Sequence, residues 1–382
     1  MRSVLPSVVL VSCTIGSAVG LRAQQVDGLD SDGDGWSVAE GDCCDDIGQG
    51  CGDEAPLVNP GAFEVDTNGL DDDCDGTIDN PLATDCSIAQ KLTALTGADL
   101  AQAIDLCQTT VEAPPPQDRR WGVIDAALLR ASGTDSDSNL VNSQAAVLME
   151  FGNVWNGPFA NATMAALATK TARDTNDPGF VEVVNPPAWN DARVAPLLYE
   201  NPACSSPSLQ AVNSVRLRLR IRVPTNAVGF TFTDTWFNAE FPDTCSPFND
   251  HLLVLLSGLA PGIPPDHNIQ LGSAFSPFTV NWSDWDVCTA VGAHTCPLGS
   301  SRLISTGFDS PTGAATELYL VEGPVLGGET IVLEILTFNL QDGANNGLVL
   351  VDDFQWRLRA SGLLFLDGFE SQDLSRWSVQ VP

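Results

Sequence analysis

The chain has 382 residues, a hydrophobic share of 43%, a formal net charge of −32 and a pI near 4.1. That length and apolar content allow two domains, one with a sizeable core. The charge excludes nucleic acid, which needs a basic face, and disfavours an anionic membrane surface; it suits solubility and divalent cations.

Residues 1–23 read as an export signal: Arg2, the apolar run VLPSVVLVSCTIGSAVG, then small residues at Ala18, Gly20 or Ala23 for cleavage. The same run holds LVSC, a lipobox-like string, so a lipoprotein anchored through Cys13 is the competing expectation. No other run reaches the roughly 18 apolar residues of a membrane span. The expected location is secreted or on the outer cell surface.

Residues 24–85 are rich in acids and contain no Lys or Arg. Too few apolar residues occur there for a core, so cross-links and metal are expected to order it. The string DSDGDG alternates Asp30, Asp32 and Asp34 before Gly35. Calcium takes six to eight oxygens, and such a loop turns alternate carboxylates onto one ion while glycine permits the sharp turn. The Trp36 carbonyl is the next expected ligand. A standard EF-hand needs Glu at the twelfth position; Gly41 stands there, with Asp42 next. A second string follows, Asp71, Asp73 and Asp75 before Gly76, with Asp79 beyond. The bland alternative for both is a solvated, disordered acidic run.

Apart from Cys13, ten cysteines remain, an even number that suits disulfides in an exported chain. Local spacing suggests Cys43 or Cys44 with Cys74, Cys86 with Cys107, Cys204 with Cys245, and Cys288 with Cys296. Residues 86–116 read as a connector. Ile88, Leu92 and Leu95, then Leu100, Ile104 and Leu106, have helical spacing, which predicts two short helices with Asp99 as N-cap of the second. APPPQD at 113–118 reads as a stiff linker.

From 117 to 360 strand patterns alternate with turn residues, which predicts a mainly β, jelly-roll-like β-sandwich. In SVRLRLRIRVP, Val215, Leu217, Leu219, Ile221 and Val223 share one face, and Arg216, Arg218, Arg220 and Arg222 the other. Four like charges in a row need partners: acids on neighbouring strands, the docked acidic module, or an anionic polysaccharide. GFTFTDTWF, HLLVLLSG, ETIVLEILTF and LVLVDDFQWRLR read as further strands. Glu240, Asn249, Asp250 and Asp352 are candidates for a further calcium site, with turn capping as the alternative. Residues 361–382 form a tail with no obvious anchor.

No catalytic constellation stands out, and the chain is expected not to be an enzyme. His251, His267 and His294 are scattered, and no GxSxG elbow occurs. Glu240 and Asp250 could serve an extracellular polysaccharide hydrolase as a carboxylate pair. Trp236, Trp282 and Trp285 could stack on sugars, although Trp in such a domain is more often core.

Two resemblances accompany these residues. DSDGDG, Gly41-Asp42-Cys43, Pro60-Gly61-Ala62-Phe63-Glu64 and Asp73-Cys74-Asp75-Gly76 together resemble the metal-binding motif of MopE-type bacterial surface proteins. The departure is CCDDIGQGC, an added cysteine and an insertion. That resemblance implies copper in one lineage, but oxygen-only ligands favour calcium. The stretch with Glu240-Phe241-Pro242 and Ser246, Phe248, Asn249 and Asp250, with PVLGGETIVLEILTFNLQDGANNGLVLVDDFQW, resembles the choice-of-anchor L domain over roughly 120–360. It implies a secreted bacterial surface protein and no particular activity. The expected role is calcium-dependent adhesion, or binding of extracellular polysaccharide or a surface protein; a copper-binding surface protein and a hydrolase are the alternatives.

Overall fold

Strict alternation decides the central strand. Val215, Leu217, Leu219, Ile221 and Val223 are all buried in one core cluster, as a period of two places them on one face. The computed structural model describes residues 28–80, 88–130, 143–153, 157–180, 211–242, 249–272, 278–281, 285–292, 294–340, 343 and 345–359. The expected export signal, Cys13, Cys86, Cys204, Cys245, Ser246, Phe248, Trp282 and the tail lie outside the described residues.

Two antiparallel sheets face each other. In the first, β4 (Ala211–Arg222) lies between β1 (Gly122–Leu129) and β10 (Thr330–Leu340), and β6 (His251–Ser257) flanks β10. In the second, β5 (Ala227–Asn238) pairs with β11 (Gly347–Leu358), which continues to β3 (Met164–Ala168) and β2 (Ala145–Leu148). On its other side β5 pairs with β9 (Tyr319–Pro324) and β8 (Ala314–Ala315), and β7 (Val287–Cys288) pairs with β8. The strings expected as strands at 229–237, 251–258, 329–338 and 348–359 fall in β5, β6, β10 and β11.

The core fills the space between the sheets. Leu252, Val254 and Leu256 from β6 and Ile331, Leu333 and Ile335 from β10 meet Phe230, Phe232 and Trp236 from β5 and Val349 and Val351 from β11. Each such side chain contributes about 1.5–3 kcal/mol by leaving water. Trp236 is fully buried, and Trp285 is partly buried against it at 5.3 Å between ring centroids, so both belong to the core rather than to a sugar face.

The arginine face is largely answered from within the molecule. Arg216 pairs with Glu334 at 2.9 Å and Arg220 with Glu112 at 2.6 Å. Arg222 donates to the carbonyls of Arg120, Val111 and Glu112. Arg218 lies opposite Glu334 in the β4–β10 register. The linker carrying Glu112 therefore lies across this face, and the acids of strand and linker offset the row of cations.

The connector departs from its sequence pattern. One helix forms, α1 (Gly97–Ala103), and its N-cap is Thr96. Asp99 is instead the third residue of a capping box, accepting from the Thr96 amide and pairing with Lys91 at 2.7 Å. Residues 88–95 are not helical, because the Lys91 backbone pairs with Val147 at the edge of the second sheet. Their apolar side chains still reach the core: Ile88 and Leu95 pack on one cluster and Leu92 on another. Core burial outweighed the weak local helix preference.

Candidate metal centre

The two acidic strings form equivalent loops. In the first, Asp30 accepts from the amides of Gly33 (2.7 Å) and Gly35 (3.0 Å). In the second, Asp71 accepts from Asp75 (3.0 Å) and Gly76 (3.0 Å). The middle carboxylates repeat the pattern two residues on, Asp32 from Asp34 and Asp73 from Asp75. The third pair does so too, Asp34 from Trp36 and Asp75 from Thr77. An asparagine amide then closes each third carboxylate, Asn59 on Asp34 at 2.7 Å and Asn80 on Asp75 at 3.0 Å. Both closing glycines, Gly35 and Gly76, have φ of 96°, which any Cβ would disfavour. Loops tied by their own amides hold their free carboxylate oxygens in fixed directions.

Those oxygens converge with acids from elsewhere. Asp30, Asp32 and Asp45 offer ligand atoms within 4.8 Å of one another, and so do Asp32, Asp34 and Asp42. In the second loop the set is Glu64, Asp71 and Asp73. Among the sequence candidates, Asp30, Asp32, Asp34, Asp42, Asp71 and Asp73 are brought together. Asp75 and Asp79 are not in a set: Asp75 serves the Thr77 amide and Asn80, and Asp79 the Gly69 amide. Trp36 contributes its amide to Asp34 and a buried ring. Asp45 and Glu64 escaped the alternation rule, because they arrive from separate segments. They are equivalent as well: Asp45 accepts from the Ser31 amide at 2.5 Å and Glu64 from the Asp72 amide at 3.0 Å, each just after the first Asp of its loop. Glu64 closes the PGAFE string, the one signal that pointed to it.

Three carboxylate oxygens in these sets, Asp32 Oδ2, Asp42 Oδ2 and Glu64 Oε1, are buried without a hydrogen-bond partner. Buried anionic oxygens without partners are costly unless a cation meets them. Burial pushes Asp34 up to about 6 and Asp42 and Glu64 up to about 7, and neighbouring carboxylates add to each shift. A cation of two positive charges removes that penalty. Eight or fewer oxygens from carboxylates, carbonyls and water suit a hard ion. None of the three sets holds a histidine, a methionine or a free thiol.

Disulfides brace the module, Cys43–Cys74 between the two loops and Cys44–Cys51 within the insertion. The second pairing was not expected from spacing; it resolves which of the adjacent cysteines meets Cys74. Cys288–Cys296 forms in the larger domain. Cys107 is disulfide-bonded, and its expected partner Cys86 lies outside the described residues. The module docks on the β4–β5 turn. Asn226 exchanges two hydrogen bonds with the Phe63 backbone, and the Thr225 amide donates to the Gly61 carbonyl at 3.0 Å. Arg119 lies 4.4 Å over the Trp36 ring, whose Nε1 donates to the Pro116 carbonyl.

The structure sets Asp352 apart from the other three second-domain candidates, while Asn238 bridges two of those, accepting from the Glu240 amide and donating to Asp250. Asp250 is buried and accepts from Asn238 Nδ2 and the Leu340 amide. Asn249 accepts from the Asn281 amide and Glu240 from Asn345. Asp352 lies elsewhere along β11, accepting from the amides of Phe159 and Ala160. Asn249, Asp250 and Asp352 accept from backbone amides and Glu240 from a side-chain amide, and no acidic set forms there among the described residues.

Residues 51–80 match the family model "Putative metal-binding motif" of the copper-binding MopE type, so this stretch carries that motif. No curated protein shows detectable sequence similarity to the chain. Among solved structures, the K2 cleaved adhesin domain of Lys-gingipain aligns at 10% identity over 61% of this chain and 89% of that one, with a TM-score of 0.24. The K3 domain of Lys-gingipain from Porphyromonas gingivalis w83 aligns at 14% over 60% and 91%, with a TM-score of 0.21. A β-glucosidase from Kluyveromyces marxianus aligns at 11% over 58% of this chain and 20% of that one, at 0.19. These superpositions are too loose to carry a fold or a function across. The matched motif and the carboxylate sets together mark a candidate metal centre in a mainly β chain.

Proposed function

We propose that the chain is a non-catalytic binding protein of a bacterial cell surface or its surroundings, and that its acidic module holds calcium. The observation that carries the calcium reading is the set of buried, partnerless oxygens at Asp32, Asp42 and Glu64 inside clusters of carboxylates alone. Hard oxygens in number favour calcium; copper favours imidazole and sulfur, which all three sets lack. The ion's role is structural: it fixes the loops that dock the module on the β4–β5 turn. Several disulfides fit an oxidising compartment, in line with export. The resemblance of the larger domain to choice-of-anchor L domains supports surface display with adhesion or matrix binding.

The test is calorimetric titration of the full chain after chelator treatment. Saturable calcium binding that Asp32→Asn and Glu64→Gln each weaken supports the reading. Silence toward calcium with tight copper binding overturns it in favour of the copper alternative.

A further inference from the structure

Where the module, α1 and β11 meet, a cavity of about 520 Å³ opens. One wall is aromatic: Phe63 lies 5.2 Å from Trp121, and Trp121 6.3 Å from Trp356, centroid to centroid. Facing groups are Asp105, Asn161, Asp353 and Gln355, and no Lys, Arg or His is among the lining residues. Asn161 Nδ2 donates to Asp105, and Gln355 Nε2 donates to Asp353 at 2.5 Å. Each carboxylate is thus paired with an amide, which leaves donors and acceptors side by side.

Three of these polar residues hold backbone that favours glycine. Asp105 has φ of 73°, Asn161 of 55° and Asp353 of 58°. Asp105 follows the α1 C-cap in a Schellman turn: its amide donates to Gln102 and the Leu106 amide to Ala101. Glycine is the ordinary residue at that position. Asp353 sits at an irregularity of the β11–β5 pairing, pinned by the Phe354 amide donating to Ile104. Strained polar side chains gathered at one cavity mark a place where the side chain is worth more than local stability.

We infer that this cavity binds the ring of a neutral sugar, with the aromatic wall against its C–H face and the carboxylate–amide pairs on its hydroxyls. The volume lies in the range of small-ligand sites. An aromatic flank with a few converging polar groups is the complement of a ring that is apolar on its face and hydroxylated at its edge. Acidic residues exclude an anionic sugar. Phe63 is tilted 39° to Trp121 and Trp356 stands at 80° to it; an organic cation, which such rings beside carboxylates would also attract, is the competing ligand that the test separates. The inference deepens the binding-protein reading by naming a ligand class, and it does not depend on which ion fills the acidic loops.

The experiment uses the calcium-loaded full chain against the methyl glycosides of glucose, galactose, mannose and N-acetylglucosamine, the disaccharides cellobiose, maltose and lactose, and tetramethylammonium as a cation probe. Calorimetry and tryptophan fluorescence read binding, and thermal melts read stability. Saturable binding of at least one sugar is expected, weakened about tenfold or more by Trp356→Ala, the scale of one lost aromatic contact. Asp105→Gly is the discriminating variant: it relieves left-handed strain, so its melting temperature should hold or rise while sugar binding is lost. Silence toward every sugar, equal binding by both variants, or saturation by tetramethylammonium alone overturns the inference. Cleavage of a bound disaccharide, followed by mass spectrometry, would leave the sugar site standing and overturn the non-catalytic reading.

Discussion

A buried carboxylate is informative when its oxygens are left over. Asp234, on the inner face of β5, is fully buried with the Gln270 side chain beside it; burial pushes its pKa up to about 8, and the Gln270 amide offsets only part of that. The folded chain therefore keeps a proton there that the unfolded chain sheds near the ordinary carboxylate value of 3.8. The folded state binds more protons between those values, so stability falls as pH rises toward 8. Asp234→Asn should raise the melting temperature at pH 8 and flatten its decline between pH 5 and 8, each pH read as a melting scan. In the loops the sign has a second consequence. Asp34, Asp42 and Glu64 must release protons held up to about 6 or 7 before they can meet a cation. Calcium affinity should rise with pH through that window and release protons, which calorimetry in buffers of different ionisation heat would read. An affinity flat from pH 5 to 8 would exclude those three groups as ligands.

Close approach sets the tolerances of the elements. Gly97 opens α1 against β1, where an added Cβ would lie 2.4 Å from the Ala126 backbone. Gly97→Ala favours an isolated helix but should destabilise this protein by about 1–3 kcal/mol, because backbone cannot step aside. A denaturant titration checks it; unchanged stability would mean that α1 can shift off the strand. Gly61 is the matching point of the module. A Cβ there would lie 2.7 Å from Trp36 Cη2 and 3.2 Å from Thr225 Cγ2. Gly61→Ala should loosen the docking of the module on the β4–β5 turn and speed proteolysis of residues 28–80, leaving the sheets intact by circular dichroism. Thr96 explains why α1 starts at Gly97: its hydroxyl takes the Asp99 amide and Asp99 takes the Thr96 amide, whereas the Lys91 backbone found a strand partner instead.

For the whole molecule, metal removal should act on the module more than on the sheets. Among the described residues the module has a small apolar cluster of its own around Cys44, Ala55 and Val58, so the proposed ion and the disulfides would carry much of its order. Calcium at a hundred times its dissociation constant would add about 2.7 kcal/mol to whatever unit unfolds with it. Chelation should therefore lower an early melting transition and leave a later one in place; a single unshifted transition would show that the ion is not structural. The strands were legible because alternation over Arg216 to Val223 and in β5, β6, β10 and β11 reports directly which face meets the core. The alternating acids Asp30, Asp32, Asp34, Asp71 and Asp73 were legible for the same local reason, one loop turning its own residues onto one point. Asp45, the choice of Cys44–Cys51, and the cavity between Phe63, Asp105 and Asp353 were not, since each joins segments whose separation along the chain leaves no periodic trace; Glu64 was marked by the PGAFE string alone. Local sequence determined the strands, the turns and the two loops through backbone geometry. Only the tertiary structure decided what those loops face, because closing long stretches of chain is settled by the burial and charge of the whole.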